Sequence, residues 1–240
     1  MATYPQLRTP PIKEIIFTIS FEEKVSLIQL QQFCSSPIIT AKFPSISPGF
    51  HTNITNVNNN EPPKSESQVD GFLLRSHPIS HILSVKRGTF SFHRVNGYET
   101  FEKLYSEVDT YWTHFKNFAP VDKIINLSIR YVNFIEAAEE IDIDNLLSLK
   151  LKHPFSEKLE GFFAQIRFKY EPNPAIDVNV VASGAKDNKK SGVVLDIILN
   201  KRLSDSGLKG FLDMREVKNK VFFDCITDFA VKKFNHENIL

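Results

Sequence analysis

The segment from Ile124 to Glu136, IINLSIRYVNFIE, is the clearest strand pattern in the sequence, and the prediction of the fold starts from it. Its side chains alternate in character from one residue to the next. One face carries Ile125, Leu127, Ile129, Tyr131, Asn133 and Ile135, and the other carries Asn126, Ser128, Arg130 and Glu136, with Val132 and Phe134 among them. A period of two, filled with branched and aromatic side chains, predicts a strand with one face against a core.

The composition of the 240-residue chain is that of a globular protein, because 42% of its residues are hydrophobic and 12% are aromatic. This excludes a chain that is disordered throughout. The 29 basic residues nearly cancel the 28 acidic ones. The chain therefore has no overall field that would attract nucleic acid or an anionic membrane, although a local basic patch is compatible with this balance.

Cysteine and histidine spacing argues against a metal site. Cys34 and Cys225 are far apart in the chain, so they predict two small core thiols rather than a disulfide framework or zinc ligands. His77 and His81 have the spacing of helical metal ligands, but Pro78 lies between them. That segment predicts a turn leading into a strand, with a surface or turn role for both rings. No metal and no cofactor are expected.

Targeting signals are absent from the sequence as given. The first residues, MATYPQLRTPP, contain no apolar stretch of the signal-peptide type. No apolar run approaches the roughly 18 residues that a membrane helix needs. The expectation is a reduced, cytoplasmic protein without a membrane partner.

The first half of the chain predicts a strand, a helix, several antiparallel strands and a long helix. In order these are strand Ile12–Phe21, helix Glu23–Cys34, strand Phe50–Val57, strands Gly71–Ser76, Ser80–Arg87 and Thr89–Val95, and helix Phe101–Phe118. Thr100 is placed to cap the long helix. Trp112 belongs to its apolar stripe, which predicts a core position against the sheet.

The second half repeats this order from Ile124 onward. It predicts strand Ile124–Glu136, a short helix from the capping Asp142 through Leu149, strands Phe162–Tyr170, Ala175–Ala182 and Gly192–Leu199, and a final helix Asp213–Asn235. Two polar segments, Asn58–Gln68 and Gly184–Ser191, contain no large apolar residue and are expected to be mobile loops.

The repeated order predicts an α+β fold made of two tandem strand–helix–antiparallel meander–long helix units, residues 1–120 and residues 121–240. Val121–Lys123 is too short to be a free linker, so the two units should pack as one globular body. We expect one curved sheet with the helices on one side. The two halves show no convincing identity at the level of residues, and the internal duplication is therefore a prediction from pattern alone.

Polar residues on the predicted strands are the candidates for a site. Asn133 shares the apolar face with Tyr131, and a buried amide needs either a neighbouring backbone group or a ligand as partner. Arg130 points to the opposite face. Strand order decides whether its neighbours are Arg167 and Lys169 or Arg94 and Lys86.

Asp196 interrupts an apolar strand, and it is either exposed or the cross-strand partner of a basic residue.

Common catalytic motifs are missing: the chain has no G-x-S-x-G, Walker, G-x-G-x-x-G or H-E-x-x-H segment. This removes the familiar routes to catalysis without excluding an unfamiliar one. The ligand- or partner-binding candidates are Arg130, Tyr131, Asn133, Asp196, Arg167 and Glu14.

Several segments together resemble a sporadically distributed family of uncharacterised bacterial proteins of similar length. The family pattern consists of a P-P-I-x-E strand, a tryptophan-containing helix, an L-R-Y-x-N strand, an acidic L-D-x strand and an L-x-x-x-K-N-x-x-F-x-x-x-I-T helix. The matching segments are Pro10–Glu14, Trp112, Ile129–Asn133, Leu195–Asp196 and Met214–Thr227. Ile129, Phe134 and Ile198 depart from the usual residues at their positions. The resemblance implies an accessory or defence-linked bacterial protein and no established activity.

Two functions are consistent with these observations. The first is a non-catalytic binding or interaction protein that acts through a sheet face or an oligomer interface, as a homodimer and with a protein partner encoded nearby. The second is an enzyme acting on nucleic acid or nucleotide through an unfamiliar site that contains Arg130, Asn133 and Asp196; nucleic acid is the less favoured partner. A deep pocket that collects those side chains would support the enzyme, whereas a shallow surface would support the binding protein.

Overall fold

Nine strands form one curved antiparallel sheet in the computed structural model, which describes residues 4–22, 25–55, 64–137, 143–149, 161–187, 190–203 and 207–236. The strands are β1 Ile12–Phe21, β2 Ser45–Thr55, β3 Lys64–Arg75, β4 His81–Lys86, β5 Thr89–Val95, β6 Ile124–Glu136, β7 Phe163–Lys169, β8 Ile176–Asp187 and β9 Lys190–Arg202. Their order across the sheet is β2-β3-β4-β5-β1-β6-β9-β8-β7. The predicted α+β class is confirmed, while the division into residues 1–120 and 121–240 stays a prediction.

Helices cover one face of this sheet, which we call the covered face; the other is the open face. The helices are α1 Leu27–Cys34, α2 Pro37–Lys42, α3 Phe101–Lys116, α4 Gly210–Cys225 and α5 Asp228–Phe234. Phe17 of β1 contacts Phe101 of α3 and Phe211 of α4, with ring centroids 5.9 and 5.0 Å apart. Both long helices therefore pack on the same side, as the sequence predicts.

The strand β6 is central, and its period of two is confirmed. It pairs with β1, where Tyr131 lies opposite Ile15, and on its other edge with β9. The prediction is wrong at the start of the strand, where it places Ile125 on the buried face. Ile125 is 41% exposed, and Ile124 is buried instead. The register between β1 and β6 shifts just before Phe21 pairs with Ile124, and this irregularity exchanges the two faces.

Trp112 of α3 is buried between the long helix and the sheet, as predicted. Its ring contacts Phe21 of β1 and Phe90 of β5, at centroid distances of 5.9 and 5.5 Å. The Thr100 hydroxyl accepts a hydrogen bond from the backbone N–H of Lys103, which confirms the predicted cap of α3. Helix α1 begins at Leu27, later than the predicted Glu23, which lies outside the described residues.

The two segments expected to be mobile loops are strands where the structure describes them, and their mobility stays a prediction. Residues 64–68 belong to β3 and pair with β2, while residues 58–63 lie outside the described part. In the second segment β8 continues to Asp187 and β9 begins at Lys190, with Ala185 opposite Gly192, while residues 188 and 189 lie outside the described part. Backbone hydrogen bonds along a hairpin order these residues without any large apolar side chain.

The predicted C-terminal helix Asp213–Asn235 is two helices. Ile226 is extended and bridges Leu147, and Thr227 then caps α5 by accepting from the Ala230 N–H. The predicted helix through Leu149 is wrong for a related reason. Only the 3-10 turn Ile143–Asn145 forms before Leu147 joins the bridge, and Asp142 lies outside the described residues.

The N-terminal arm, residues 4–11, is held at both ends. The carbonyl of Pro11 accepts from the Phe134 N–H at 2.8 Å, and the Thr9 N–H donates to the Phe234 carbonyl at 3.1 Å. The ring of Tyr4 stacks on Phe223 of α4, with centroids 5.3 Å apart. The arm thus runs from the sheet centre across the two C-terminal helices.

Candidate functional site

A pocket of about 330 Å³ lies on the covered face, between the N-terminal arm, the start of α3 and helix α4. We call it the arm pocket. Its polar lining residues are Tyr4, Gln6, Tyr98, Glu99, Thr100, Glu102, Tyr131, Asn133, Arg215, Lys218 and Asn219. A volume of this size is at the lower end of the range for small-molecule sites, and it combines apolar walls with a few polar groups as such sites do.

Tyr131 is the most buried polar group of the arm pocket, with 1% of its surface exposed. Its hydroxyl is fully buried and has no hydrogen-bond partner among the described residues. Burial raises the pKa of Tyr131 well above its usual value, so the hydroxyl stays protonated and can donate. A buried hydroxyl without a partner costs about 1–3 kcal/mol, which makes this atom a position where a ligand would be stabilising.

Lys218 of α4 lies against Tyr131, with its Nζ 4.5 Å from the ring centroid. Within the part of the chain that the structure describes, no carboxylate pairs with this ammonium. Burial, and then the positive charge of Arg215, lower the pKa of Lys218 to about 8. The amine therefore changes protonation state near neutral pH, which is unusual for a lysine and typical of functional sites.

Arg215 lies three residues before Lys218 and so on the same side of α4. Its guanidinium lies 5.2 Å from the ring centroid of Phe101, and its Nη1 is 2.5 Å from Oε1 of Glu102. Because Glu102 neutralises only Arg215, the wall of the arm pocket formed by α4 keeps an excess positive charge.

Asn133 also lines the arm pocket, and its side-chain amide is tied to the backbone. Its Nδ2 donates to the carbonyl of Leu195 at 2.9 Å and to that of Tyr131 at 3.3 Å. Of the two partners that the sequence allowed, a backbone group is the one observed. Asn133 therefore stabilises the β6–β9 pairing beneath the pocket.

Arg130 and Asp196 form an ion pair on the open face. Nε of Arg130 donates to both carboxylate oxygens of Asp196, at 2.9 and 3.0 Å, and its Nη2 donates to Oδ2 at 2.6 Å. These hydrogen bonds raise the pKa of Arg130. Asp196 is only 7% exposed. It is therefore the cross-strand partner of a basic residue and not an exposed position.

Glu14 and Arg167 lie on the same open face but belong to other contacts. Oε1 of Glu14 is 2.8 Å from Nδ1 of His93, and this hydrogen bond lowers the pKa of Glu14. Arg167 donates from Nε to Asn179 Oδ1 at 3.4 Å. Paired residues of β9 and β8 separate Arg167 from Arg130, at roughly 14 Å for three strand spacings.

The six predicted candidates are therefore divided between two faces. Tyr131 and Asn133 line the arm pocket, whereas Arg130, Asp196, Glu14 and Arg167 lie on the open face. The trio Arg130, Asn133 and Asp196, which the enzyme alternative needs together, does not share a pocket. Lys218 and Arg215 are not among the site residues predicted from the sequence, although Lys218 is the lysine of the K-N pair in the helix motif.

His81 is buried on the covered face of β4, and the expected surface or turn role is wrong for it, although His77 is exposed. Arg94 Nη1 lies 2.6 Å from His81 Nε2, and Glu107 Oε2 lies 3.2 Å from the same nitrogen. The shorter contact requires this nitrogen to accept, so the ring is neutral. Burial, and then the charges of Lys42 and Arg94, lower the pKa of His81 to about 4.

Both cysteines are buried core residues, as predicted, and burial raises the pKa of Cys34 to about 12 and of Cys225 to about 11. Among the described residues, no three His, Cys, Asp or Glu side chains are grouped to hold a metal ion. None of the described helices has the length and apolar character to span a membrane.

Comparison with known proteins adds little to this geometry. Neither a protein-family model nor a curated protein matches the chain. Among solved structures, the crystal structure of the di-domain ARO/CYC StfQ from the steffimycin biosynthetic pathway is 8% identical, covering 92% of this chain and 96% of that chain. The TM-score is 0.20, and a likeness at that level carries no inference about function.

Proposed function

We propose that this chain is a binding protein whose arm pocket takes a small organic anion. The observation that carries the proposal is the buried Tyr131 hydroxyl, which has no hydrogen-bond partner among the described residues. The ammonium of Lys218 lies 4.5 Å from the centroid of the same ring and has no carboxylate partner in the described part of the chain. A carboxylate or phosphate oxygen accepts from both donors at once. It would remove the cost of the unpartnered hydroxyl and neutralise the positive wall of α4.

The rest of the pocket supports a ligand with an apolar part. Phe222 and Phe223 of α4, Leu7 of the arm and Tyr98 line the same space as the two donors. Such walls exclude water from the charged end of a ligand and strengthen its hydrogen bonds. A molecule with one acidic group and a short apolar or planar body fits a pocket that has hydrogen-bond donors at one place and apolar walls elsewhere.

Three of the segments that carry the family resemblance meet at the arm pocket. Pro10–Ile12, Tyr131 with Asn133, and Lys218 with Asn219 all line it, although they are far apart in the chain. Membership of that family, and an accessory or defence-linked role with a partner encoded nearby, stay predictions. Co-purification of the tagged chain from its native host would test them.

Isothermal titration calorimetry with a panel of small carboxylates and phosphate esters tests the proposal. We expect binding that weakens by about tenfold or more in Tyr131→Phe and in Lys218→Gln, because each loses a hydrogen bond to a charged group. Lys220→Gln is the matched control, since Lys220 is exposed on the same helix and pairs with Asp224 at 2.8 Å. Binding by Lys218→Gln at the wild-type affinity, or no binding by any member of the panel, would contradict the proposal.

A second candidate function, self-association, is favoured by the end of the sheet formed by β7. Three apolar side chains of this strand are exposed: Phe163 by 70%, Ile166 by 42% and Phe168 by 42%. They project from both faces of the strand at the end of the strand order. Two copies that pair β7 with β7 in antiparallel fashion around Ile166 would form a continuous sheet with no like charges directly opposite each other.

Light scattering at micromolar concentration measures this self-association. We expect a dimer mass for the wild type and a monomer mass for Ile166→Glu, which places two carboxylates opposite each other in the paired strands. Ile79→Glu is the control, because Ile79 is 57% exposed in the turn before β4. A wild-type monomer, or a dimer that survives Ile166→Glu, would refute dimer formation through β7.

A further inference from the structure

We propose that Lys218 captures its ligand covalently, by forming a reversible imine with an organic acid that also carries an aldehyde or ketone group. This inference rests on the proposed function, since it names the chemical class of the anion in the arm pocket. It concerns reversible capture and requires no turnover.

The position of the amine is the first argument. Lys218 Nζ lies over the face of Tyr131 inside the arm pocket, and no carboxylate among the described residues holds it in an ion pair. Arg215, one helical turn earlier, pairs with Glu102 through Nη1, and the other N–H groups of its guanidinium can bind the acid group of the same molecule. An amine and an anion-binding group on one pocket wall are the two contacts that a short carbonyl acid needs.

The charge state of the amine is the second argument. The ionisable groups that share the pocket with Lys218 are Tyr4 from the arm, Tyr98, Glu99 and Glu102 at the start of α3, Tyr131 from β6 and Arg215 from α4. Burial and Arg215 lower the pKa of Lys218 to about 8. At pH 7 about a tenth of the amine is then neutral and nucleophilic, compared with less than about one part in a thousand for an ordinary lysine.

The chemical step needs no further reagent. The neutral amine of Lys218 attacks the carbonyl carbon, and a C–N bond forms while the carbonyl oxygen becomes a hydroxyl group of the carbinolamine. Loss of that hydroxyl with the second amine hydrogen, as water, leaves a C=N bond. The reaction is a condensation without oxidation or reduction, and water reverses it when the ligand leaves.

Lys220 provides a comparison within the same helix. It lies two residues further on, is exposed, and pairs with Asp224 at 2.8 Å. The hydrogen bond to Asp224 raises the pKa of Lys220, so its amine is held in the protonated form. The surroundings of the two lysines therefore shift their pKa values in opposite directions, down for Lys218 and up for Lys220.

Reductive trapping tests the inference. The full chain is incubated with pyruvate as probe and sodium cyanoborohydride, then digested, and each lysine is assayed for the adduct by mass spectrometry. We expect at least about tenfold more adduct at Lys218 than at Lys220, with the yield rising with pH through about 8. Lys218→Arg, which keeps the charge but cannot form an imine, should lose this adduct, and Lys220→Arg should not.

Calorimetry with lactate, which has the acid group but no carbonyl, separates the two proposals. Lactate binding to the wild type and to Lys218→Arg, together with equal trapping at Lys218 and Lys220, would overturn imine formation and leave the anion site intact. Absence of both lactate binding and selective trapping would overturn the anion site as well. Selective trapping that disappears in Lys218→Arg supports the inference.

Discussion

Arg130 and Tyr131 are neighbours in β6, yet their side chains lie on opposite faces and in opposite chemical situations. Arg130 donates three hydrogen bonds to Asp196 on the open face, whereas the Tyr131 hydroxyl on the covered face has no partner among the described residues. The ion pair is complete and therefore indicates a structural role. The buried hydroxyl lacks a hydrogen-bond partner among the described residues, and this observation is the basis of the proposed binding site. Substitutions on the two faces test this difference.

The largest expected effect is on the covered face, at Trp112. Trp112→Ala should lower the free energy of unfolding by about 3–5 kcal/mol, because it leaves a cavity among Phe21, Phe90 and Phe115. Urea denaturation measures the change. The matched open-face variant is Thr18→Ala, which removes a half-buried methyl group and the hydroxyl contact to Ser91, and it should cost about 1 kcal/mol. Similar losses in both variants would remove the distinction between the faces.

The second effect is a pH dependence that also belongs to the covered face. The folded-state pKa of His81 is lowered to about 4, whereas the unfolded chain takes up a proton near the ordinary value of 6.5. Between these two pH values the unfolded state binds more protons, so the free energy of unfolding decreases as the pH falls from about 6.5 to 4. We expect a loss of about 1–3 kcal/mol over this window.

Urea denaturation at pH 7 and at pH 4.5 measures this loss. His81→Gln should flatten the profile, and His77→Gln should leave it unchanged, because His77 is exposed in the preceding turn. An identical slope in His81→Gln would show that other groups cause the acid sensitivity.

The third effect is on the open face, at the completed ion pair. Asp196→Asn should lower the free energy of unfolding by about 1 kcal/mol, because it weakens the charged hydrogen bonds from Arg130. The loss is small since Arg130 is 44% exposed and water replaces part of the contact. Ligand affinity in the arm pocket should not change. A drop in affinity without unfolding would show that the two faces are coupled.

The smallest effect on stability is expected at Tyr131. Tyr131→Phe should leave the free energy of unfolding unchanged or raise it by up to about 1 kcal/mol, because it deletes a buried hydroxyl that has no described partner. Thermal denaturation without ligand is the measurement. A loss of more than 1 kcal/mol would mean that the hydroxyl contributes to the fold itself and would weaken its assignment to a ligand.

Most of the fold could be predicted because its decisive elements have strong periodicity. The alternation in β6 and the stripe of α3 that contains Trp112 are side-chain patterns, and packing against one core preserves them. The strand ends at residues 64–68, 184–187 and 190–191 could not be predicted in this way. Backbone pairing orders them, and backbone pairing leaves no signature in side-chain polarity.

Less of the candidate site could be predicted, because it depends on contacts between distant segments. Tyr131 and Asn133 were recognised as polar groups on an apolar face. The helical period places Lys218 three or four residues from the buried Met214, Val221 and Phe222, but it does not reveal the contact with Tyr131 that distinguishes Lys218 from Lys220. The difference arises only when α4 packs on β6 and buries one amine against Tyr131 while the other stays at the surface.

The pairing of β1 with β6 has a consequence for biosynthesis. Ile15 finds its partner Tyr131 only after more than a hundred further residues have left the ribosome, on the order of ten seconds at ordinary elongation rates. During that time β1 can pair with β5 on one side, but its other edge stays open in the nascent chain. A chain whose synthesis ends before Ile124 would therefore keep an unpaired β1 edge, and such incompletely paired chains are prone to aggregate.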